Sequence, residues 1–212
     1  MQSSSIDQYC VTHSDRESDL LKEIREYTQK NEQAPAMISG PLVVNTLKSI
    51  IKLSGAKSVL EIGMFTGYSA IGMAESLPSN GHIDTCELCP IHGETAQKFF
   101  NKSNYKHQLT IHIGEALETL EKFSKNSFDM IFIDADKINY IEYYKRAMVL
   151  LKSEGIIILD NMLWSGDVLK PTSKESETLN MLNNIITKDE RTINTLLPIR
   201  DGLMICIKKW MY

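Results

Sequence analysis

The chain has 212 residues, 42% hydrophobic and 24% charged, enough to bury one sizeable core and within the span of a single domain. Its formal net charge of −4 argues against a broad nucleic-acid footprint, which needs a basic surface. Four cysteines, Cys10, Cys86, Cys89 and Cys206, are too few and too scattered for a disulfide scaffold, and Cys86-x-x-Cys89 has no second pair to complete a zinc site.

Met1 to Cys10 is polar and lacks the basic and apolar regions of a signal peptide. No apolar run approaches the ~20 residues of a membrane helix, so a cytoplasmic address without membrane contact is expected. Ser14-Asp15-Arg16-Glu17 has the spacing of a capping box, and Leu20, Leu21, Ile24 and Tyr27 follow at helical spacing. A second helix is expected from Gly40-Pro41, through Val43, Val44, Leu47, Ile50 and Ile51, to Gly55. These helices make residues 1–55 a helical cap on a wound α/β core over 56–212, all within one domain.

Val59-Leu60-Glu61-Ile62-Gly63-Met64-Phe65-Thr66-Gly67-Tyr68 then reads as buried strand, tight turn and helix. Such a turn, with Gly63, Thr66 and Gly67, is where an α/β protein holds a nucleotide-like ligand. The glycines allow close backbone approach and Thr66 is placed to cap the next helix. Neither the G-x-G-x-x-G of a dinucleotide site nor a P-loop is present, so the ligand is expected to carry no phosphate. Glu87 closes the run His82-Ile83-Asp84-Thr85-Cys86-Glu87 about twenty residues past the second glycine, where an acid accepts hydrogen bonds from ribose hydroxyls. S-adenosylmethionine, an adenosine without phosphate, satisfies both observations.

Further strands are expected at Leu109 to Ile113, Phe128 to Asp134 and Gly155 to Asp160. Helices begin near Gly67, Ile91, Glu115 and Asn139, the last carrying Tyr140, Tyr144, Ala147, Met148 and Leu151 on one face and ending before Gly155. Thr172-Ser173-Lys174-Glu175 signals one more helix. Asp201-Gly202, between Ile193–Ile199 and Leu203–Ile207, signals a closing hairpin. The alternation predicts a mostly parallel sheet with helices on both faces and an antiparallel C-terminal hairpin.

Two strands end in acids, Asp134 and Asp160, and in open α/β sheets ligands lie beyond the carboxyl ends of the strands. If these strands are neighbours, their ends lie about 5 Å apart, close enough for both carboxylates to share a cation. With Asn161 the set is hard and all-oxygen, favouring Mg2+, with Mn2+ or Ca2+ as alternatives, over zinc. Taken singly, each acid reads as a cap. Lys137 belongs to the loop facing the same cleft, either as a surface charge or as a base whose pKa is lowered beside a metal and a sulfonium. Trp164 is placed either to wall an aromatic acceptor or to plug the core edge. His13, His82, His92, His107 and His112 lack metal-ligand spacing, and most are expected to be surface or strand-packing residues.

Val59 to Tyr68, the stretch Phe128-Asp129-Met130-Ile131-Phe132-Ile133-Asp134-Ala135-Asp136-Lys137-Ile138-Asn139-Tyr140, and Asp160-Asn161-Met162-Leu163-Trp164-Ser165-Gly166-Asp167-Val168 together resemble the cation-dependent O-methyltransferases of the catechol and caffeoyl-CoA type, in particular their bacterial branch. The resemblance covers nearly the whole chain. It implies a Rossmann-like, seven-stranded class I methyltransferase sheet and an S-adenosylmethionine site including Met37, Glu61, Gly63, Ser69, Glu87 and Ala116, with Asp134 and Tyr143 at the methionine end. It also implies a metal held by Asp134, Asp160 and Asn161, Lys137 as base, a small catechol-like acceptor and a homodimer. The chain departs from the family pattern at Met64, at Glu115 and in the segment after Met37. Three alternatives stay open: a tRNA hydroxyuridine O-methyltransferase, a nicotinamide dehydrogenase, and a non-catalytic binding protein.

Overall fold

The computed structural model describes residues 5–210. Met1 to Ser4, part of the segment read for a signal peptide, and the last two residues lie outside them. In chain order the elements are α1 (Ser5–Thr12), α2 (Asp19–Asn31), α3 (Gly40–Ser54), β1 (Ser58–Ile62), α4 (Tyr68–Ala74), β2 (His82–Glu87), α5 (Pro90–Lys102) and β3 (Leu109–Ile113). There follow α6 (Ala116–Leu120), β4 (Phe128–Ile133), α7 (Tyr140–Leu150), β5 (Leu151–Leu159), α8 (Lys174–Lys188), β6 (Thr192–Leu197) and β7 (Leu203–Lys208). The chain divides into two compact units: one comprises the chain up to Lys57 together with Met64–Glu115, the other Ser58–Gly63 together with everything from Ala116. The sheet has seven strands.

In the first unit β2 and β3 run parallel, with Asp84 opposite Thr110 and Glu87 opposite Ile113. All seven residues of α4 are buried. Its Tyr68, Ala70 and Ile71 pack with Leu21 and Ile24 of α2, Val44 of α3, and Ala96, Phe99 and Phe100 of α5. Each Leu, Ile, Val or Phe side chain among them contributes about 1.5–3 kcal/mol when removed from water. Helix α3 ends as expected at Gly55, whose φ of 68° suits a left-handed cap.

The capping box expected at Ser14 is not formed. Ser14 Oγ instead donates to the Cys10 carbonyl at 2.7 Å, closing the unanticipated helix α1. Ser18 caps α2, its hydroxyl accepting the Leu21 N–H at 3.2 Å. Glu17, the other half of the expected box, accepts from Arg25 Nε at 2.9 Å and from the Tyr68 hydroxyl at 2.7 Å.

In the second unit the strand order is β1-β4-β5-β7-β6. β1, β4 and β5 are parallel, and β7 is antiparallel to both β5 and β6. Met130 to Ile133 and Ile157 to Leu159 are buried without alternation, the pattern of parallel strands covered on both faces. Leu179, Leu182 and Ile186 of α8 and Tyr140, Tyr144 and Ala147 of α7 are equally buried. Helix α7 stops at Leu150, earlier than its apolar periodicity implies, and β5 starts at Leu151. The reason lies on β7: the buried Lys208 ammonium donates to the carbonyls of Met148 and Leu151 at 2.9 and 2.7 Å, a cation ending the helix. Asp201-Gly202 does not form a two-residue turn. Leu197 pairs with Leu203, so residues 198–202 make the connection, and the Gly202 N–H bonds the Ile199 carbonyl at 2.9 Å.

Candidate active site

Strands β4 and β5 are parallel neighbours with Ile133 opposite Leu159. Asp134 and Asp160 are therefore the first residues beyond two adjacent strands. Backbone bonds hold them there, Asp134 N–H to the Ile62 carbonyl at 2.8 Å and Asp160 N–H to the Ile133 carbonyl at 3.0 Å. Asp160 is 2% exposed, and its Oδ1 accepts the Asn161 N–H at 2.7 Å. Burial first, and the Asp134 charge second, push its carboxyl up to about 7 against the opposing pull of that N–H, Lys137 and Arg200. Asn161 has a φ of 61°, a left-handed conformation that asparagine tolerates and that collects at functional sites.

Lys137 is buried in the turn after β4. Its Nζ donates to the Tyr140 hydroxyl at 2.6 Å, the Ala135 carbonyl at 2.8 Å and Asp134 Oδ1 at 3.2 Å. Three contacts use all three donors of an ammonium. Tyr140, fully buried, passes the link on to the Asp160 carbonyl at 3.2 Å. Burial, then the charges of Asp134 and Asp160, raise the Tyr140 phenol well above its ordinary value, so it stays protonated. The half-buried Trp164 ring has its centroid 5.9 Å from Lys137 Nζ. Tyr143 reaches this region through Asp136, donating to Oδ1 at 2.6 Å. The second unit thus gathers Asp134, Lys137, Asp160 and Asn161 with Tyr140, a partner that helical spacing alone reads as core. Glu61 is buried on β1 opposite Phe132, and Ala116 opens α6.

Among the described residues no group of three His, Cys, Asp or Glu side chains is placed to hold a metal. The set here is two acids and an amide, which suits a hard divalent cation that keeps several waters. Its fit rests on chemistry visible at the site: two neighbouring carboxylates, one nearly buried, with the Asn161 N–H on Asp160 and the Lys137 ammonium on Asp134.

In the first unit Glu87 ends β2 and its carboxylate is held by backbone: Phe65 N–H donates to Oε2 and Cys89 N–H to Oε1, each at 2.8 Å. Phe65 belongs to the glycine turn and has a φ of 54°. Thr66 does not cap α4. Gly67 is the cap residue, without a side-chain bond, and the buried Thr66 hydroxyl pairs instead with that of Thr28 at 2.8 Å. Ser69 is buried in the first turn of α4, whereas Met37, in the short turn 35–37, is 57% exposed. Packing accounts for both glycines of the motif: a Cβ on Gly67 would fall 2.8 Å from Phe100, and one on Gly63 only 2.1 Å from the Asp134 carbonyl oxygen. All four cysteines are free thiols. No helix of the described chain is long and apolar enough to cross a membrane.

The sequence profile of the O-methyltransferase family matches residues 11–209. Probable caffeoyl-CoA O-methyltransferase 1 of Dictyostelium discoideum is 32% identical over 212 residues, spanning 97% of this chain and 92% of its own length. A solved O-methyltransferase of Bacillus cereus in complex with SAH superposes with a TM-score of 0.89 at 28% identity, covering 98% of each chain. One from Klebsiella pneumoniae gives 0.90 at 28% identity, covering 99% of this chain and 98% of its own.

Proposed function

The chain belongs to the O-methyltransferase family, and from that premise we propose that it methylates one of two vicinal hydroxyls on a small aromatic acceptor, with a divalent cation held by Asp134, Asp160 and Asn161. The coarser statement is plain: it is an S-adenosylmethionine-dependent O-methyltransferase with a seven-stranded, mostly parallel sheet. The dehydrogenase and non-catalytic alternatives fall with that. The caffeoyl-CoA named in the Dictyostelium relative supports a hydroxylated aromatic acceptor.

The observation that carries the finer reading is the pair of carboxylates on adjacent strand ends beside a left-handed Asn161. When bound, Mg2+, or Mn2+ or Ca2+ in its place, would favour the phenolate form of the acceptor. The chain's own residues do the rest. Lys137 takes the hydroxyl proton as the neutral amine, which has one donor fewer than the ammonium, so the longest of its three contacts, to Asp134, is the one released. Tyr140 keeps that amine in place from below. The acceptor oxygen attacks the methyl carbon, the C–S electrons pass to sulfur, and S-adenosylhomocysteine leaves with a methyl ether as co-product. Trp164 offers an apolar face for the acceptor ring.

Cofactor binding by the residues that the resemblance supplies is part of this proposal, with Glu87 as acceptor for the ribose hydroxyls. So is a homodimer, supported by α1, which buries none of its residues and leaves Ile6 and Tyr9 72% and 64% exposed. Manganese titration followed by electron paramagnetic resonance tests the metal site. One bound ion per chain, lost in Asp160→Asn, is the expected result; equal binding by both proteins would remove Asp160 from the ligand set.

A further inference from the structure

We infer that His92 is a positioning residue for cofactor binding, holding the Glu87 carboxylate in the orientation that receives the ribose, with Glu32 at the end of α2 facing its other ring nitrogen. The inference rests on the ribose role proposed for Glu87. His92 lies in the first turn of α5, and its two ring nitrogens face two different acids. Nδ1 is 3.3 Å from Glu87 Oε1, and Nε2 is 3.5 Å from Glu32 Oε2. The three side chains are 23%, 10% and 16% exposed, so solvent screens them only in part.

The oxygens of Glu87 are not equivalent. Oε1 receives both the Cys89 N–H and His92, whereas Oε2 receives the Phe65 N–H. A carboxylate oxygen accepts about two hydrogen bonds, so Oε2 is the atom with capacity left for a ligand hydroxyl. A rotation of the carboxylate out of this plane would carry both oxygens away from their donors, and His92 opposes it by giving Oε1 a second partner. The same ring meets Phe65 edge-on, with centroids 4.7 Å apart, bracing the turn residue whose N–H anchors Oε2. His92 therefore touches both sides of the Glu87 cradle and, through Glu32, the C-cap of α2 just ahead of the turn that carries Met37.

Calorimetric binding of S-adenosylhomocysteine and of its 2′,3′-dideoxyribose counterpart separates this role from a structural one. His92→Asn keeps a donor near the Nδ1 position facing Glu87. His92→Gln reaches towards Glu32 and loses Glu87. His92→Ala loses both. Affinity for S-adenosylhomocysteine should fall about tenfold in His92→Ala and His92→Gln, the size of one oriented hydrogen bond, and stay near the unsubstituted value in His92→Asn. Affinity for the dideoxy ligand should be the same in all four proteins. In turnover, the loss should fall on KM for S-adenosylmethionine and leave kcat unchanged. Equal weakening of both ligands in His92→Ala and His92→Asn, or none of either, would overturn the inference. If the unsubstituted protein already binds the two ligands equally, the ribose role of Glu87 fails and the inference with it. If that protein discriminates and His92→Ala discriminates as strongly, only the inference fails.

Discussion

Glu87 and Asp160 both close a buried strand with a carboxylate, but their surroundings compensate them differently. Glu87 sits among donors: two backbone N–H groups at 2.8 Å and an imidazole. Asp160 has one N–H, a second carboxylate beside it, and burial that raises its carboxyl to about 7. A carboxylate already satisfied by fixed dipoles is suited to accept from a neutral hydroxyl. A buried acid with a second acid beside it is suited to a cation. The contrast is the ground on which ribose recognition is proposed for the first and metal binding for the second.

The largest effect that tests this contrast is expected at the acid pair. Asp160→Ala should lower methyl transfer about a thousandfold, the scale seen when a group that stabilises developing charge is removed, while calorimetry finds cofactor affinity within about twofold. Retained turnover would sink the metal assignment. Lys137→Ala should cost about a hundredfold in kcat. Lys137→Arg, which keeps the charge but does not act as a base near neutral pH, should fare no better; recovery of rate in the arginine variant would make Lys137 an electrostatic group alone. At the other acid, Glu87→Gln should raise KM for S-adenosylmethionine about tenfold with kcat nearly unchanged, and a drop confined to kcat would contradict its role in binding.

The smallest effect concerns a third acid outside both sites. Asp189 accepts from Arg191 and from the Tyr144 hydroxyl at 2.9 Å, and the Arg191 hydrogen bond first of all lowers its carboxyl to about 2. A carboxyl depressed in the folded state stabilises it at pH values above the unfolded value of 3.8, and the contribution is lost as pH falls through about 2. Asp189→Asn should therefore cost roughly 1–2 kcal/mol at pH 7, allowing for the half-exposed Arg191. Urea melts of the two proteins should converge as the pH approaches 2, and a gap independent of pH would exclude this ion pair as its cause.

What could be read from the sequence follows from how local its cause is. Strands β1 and β4 appear where the apolar runs end in acids or turn residues, because parallel strands buried on both faces leave largely hydrophobic runs. The placement of Asp134 and Asp160 followed from the same rule, since only neighbouring strands were needed to bring them together. Features set by distant residues were not legible. The start of β5 depends on Lys208, a residue of the last strand, and the Ser14 capping box lost its glutamate to Arg25 and Tyr68. Thr66 resembled a cap until Thr28 claimed its hydroxyl. The site roles of Tyr140 and His92 were not legible for a related reason: one lies at core spacing on a helix, and the other faces Glu32, far away along the chain.

The most direct test of the account is methyl transfer from labelled S-adenosylmethionine to a simple 3,4-dihydroxyphenyl acceptor, measured with added Mg2+ and again with the metal chelated. The account predicts turnover that disappears on chelation and returns when Mg2+ is restored. Turnover that persists undiminished in the chelator would contradict it, leaving Asp134, Asp160 and Asn161 without a cation to hold.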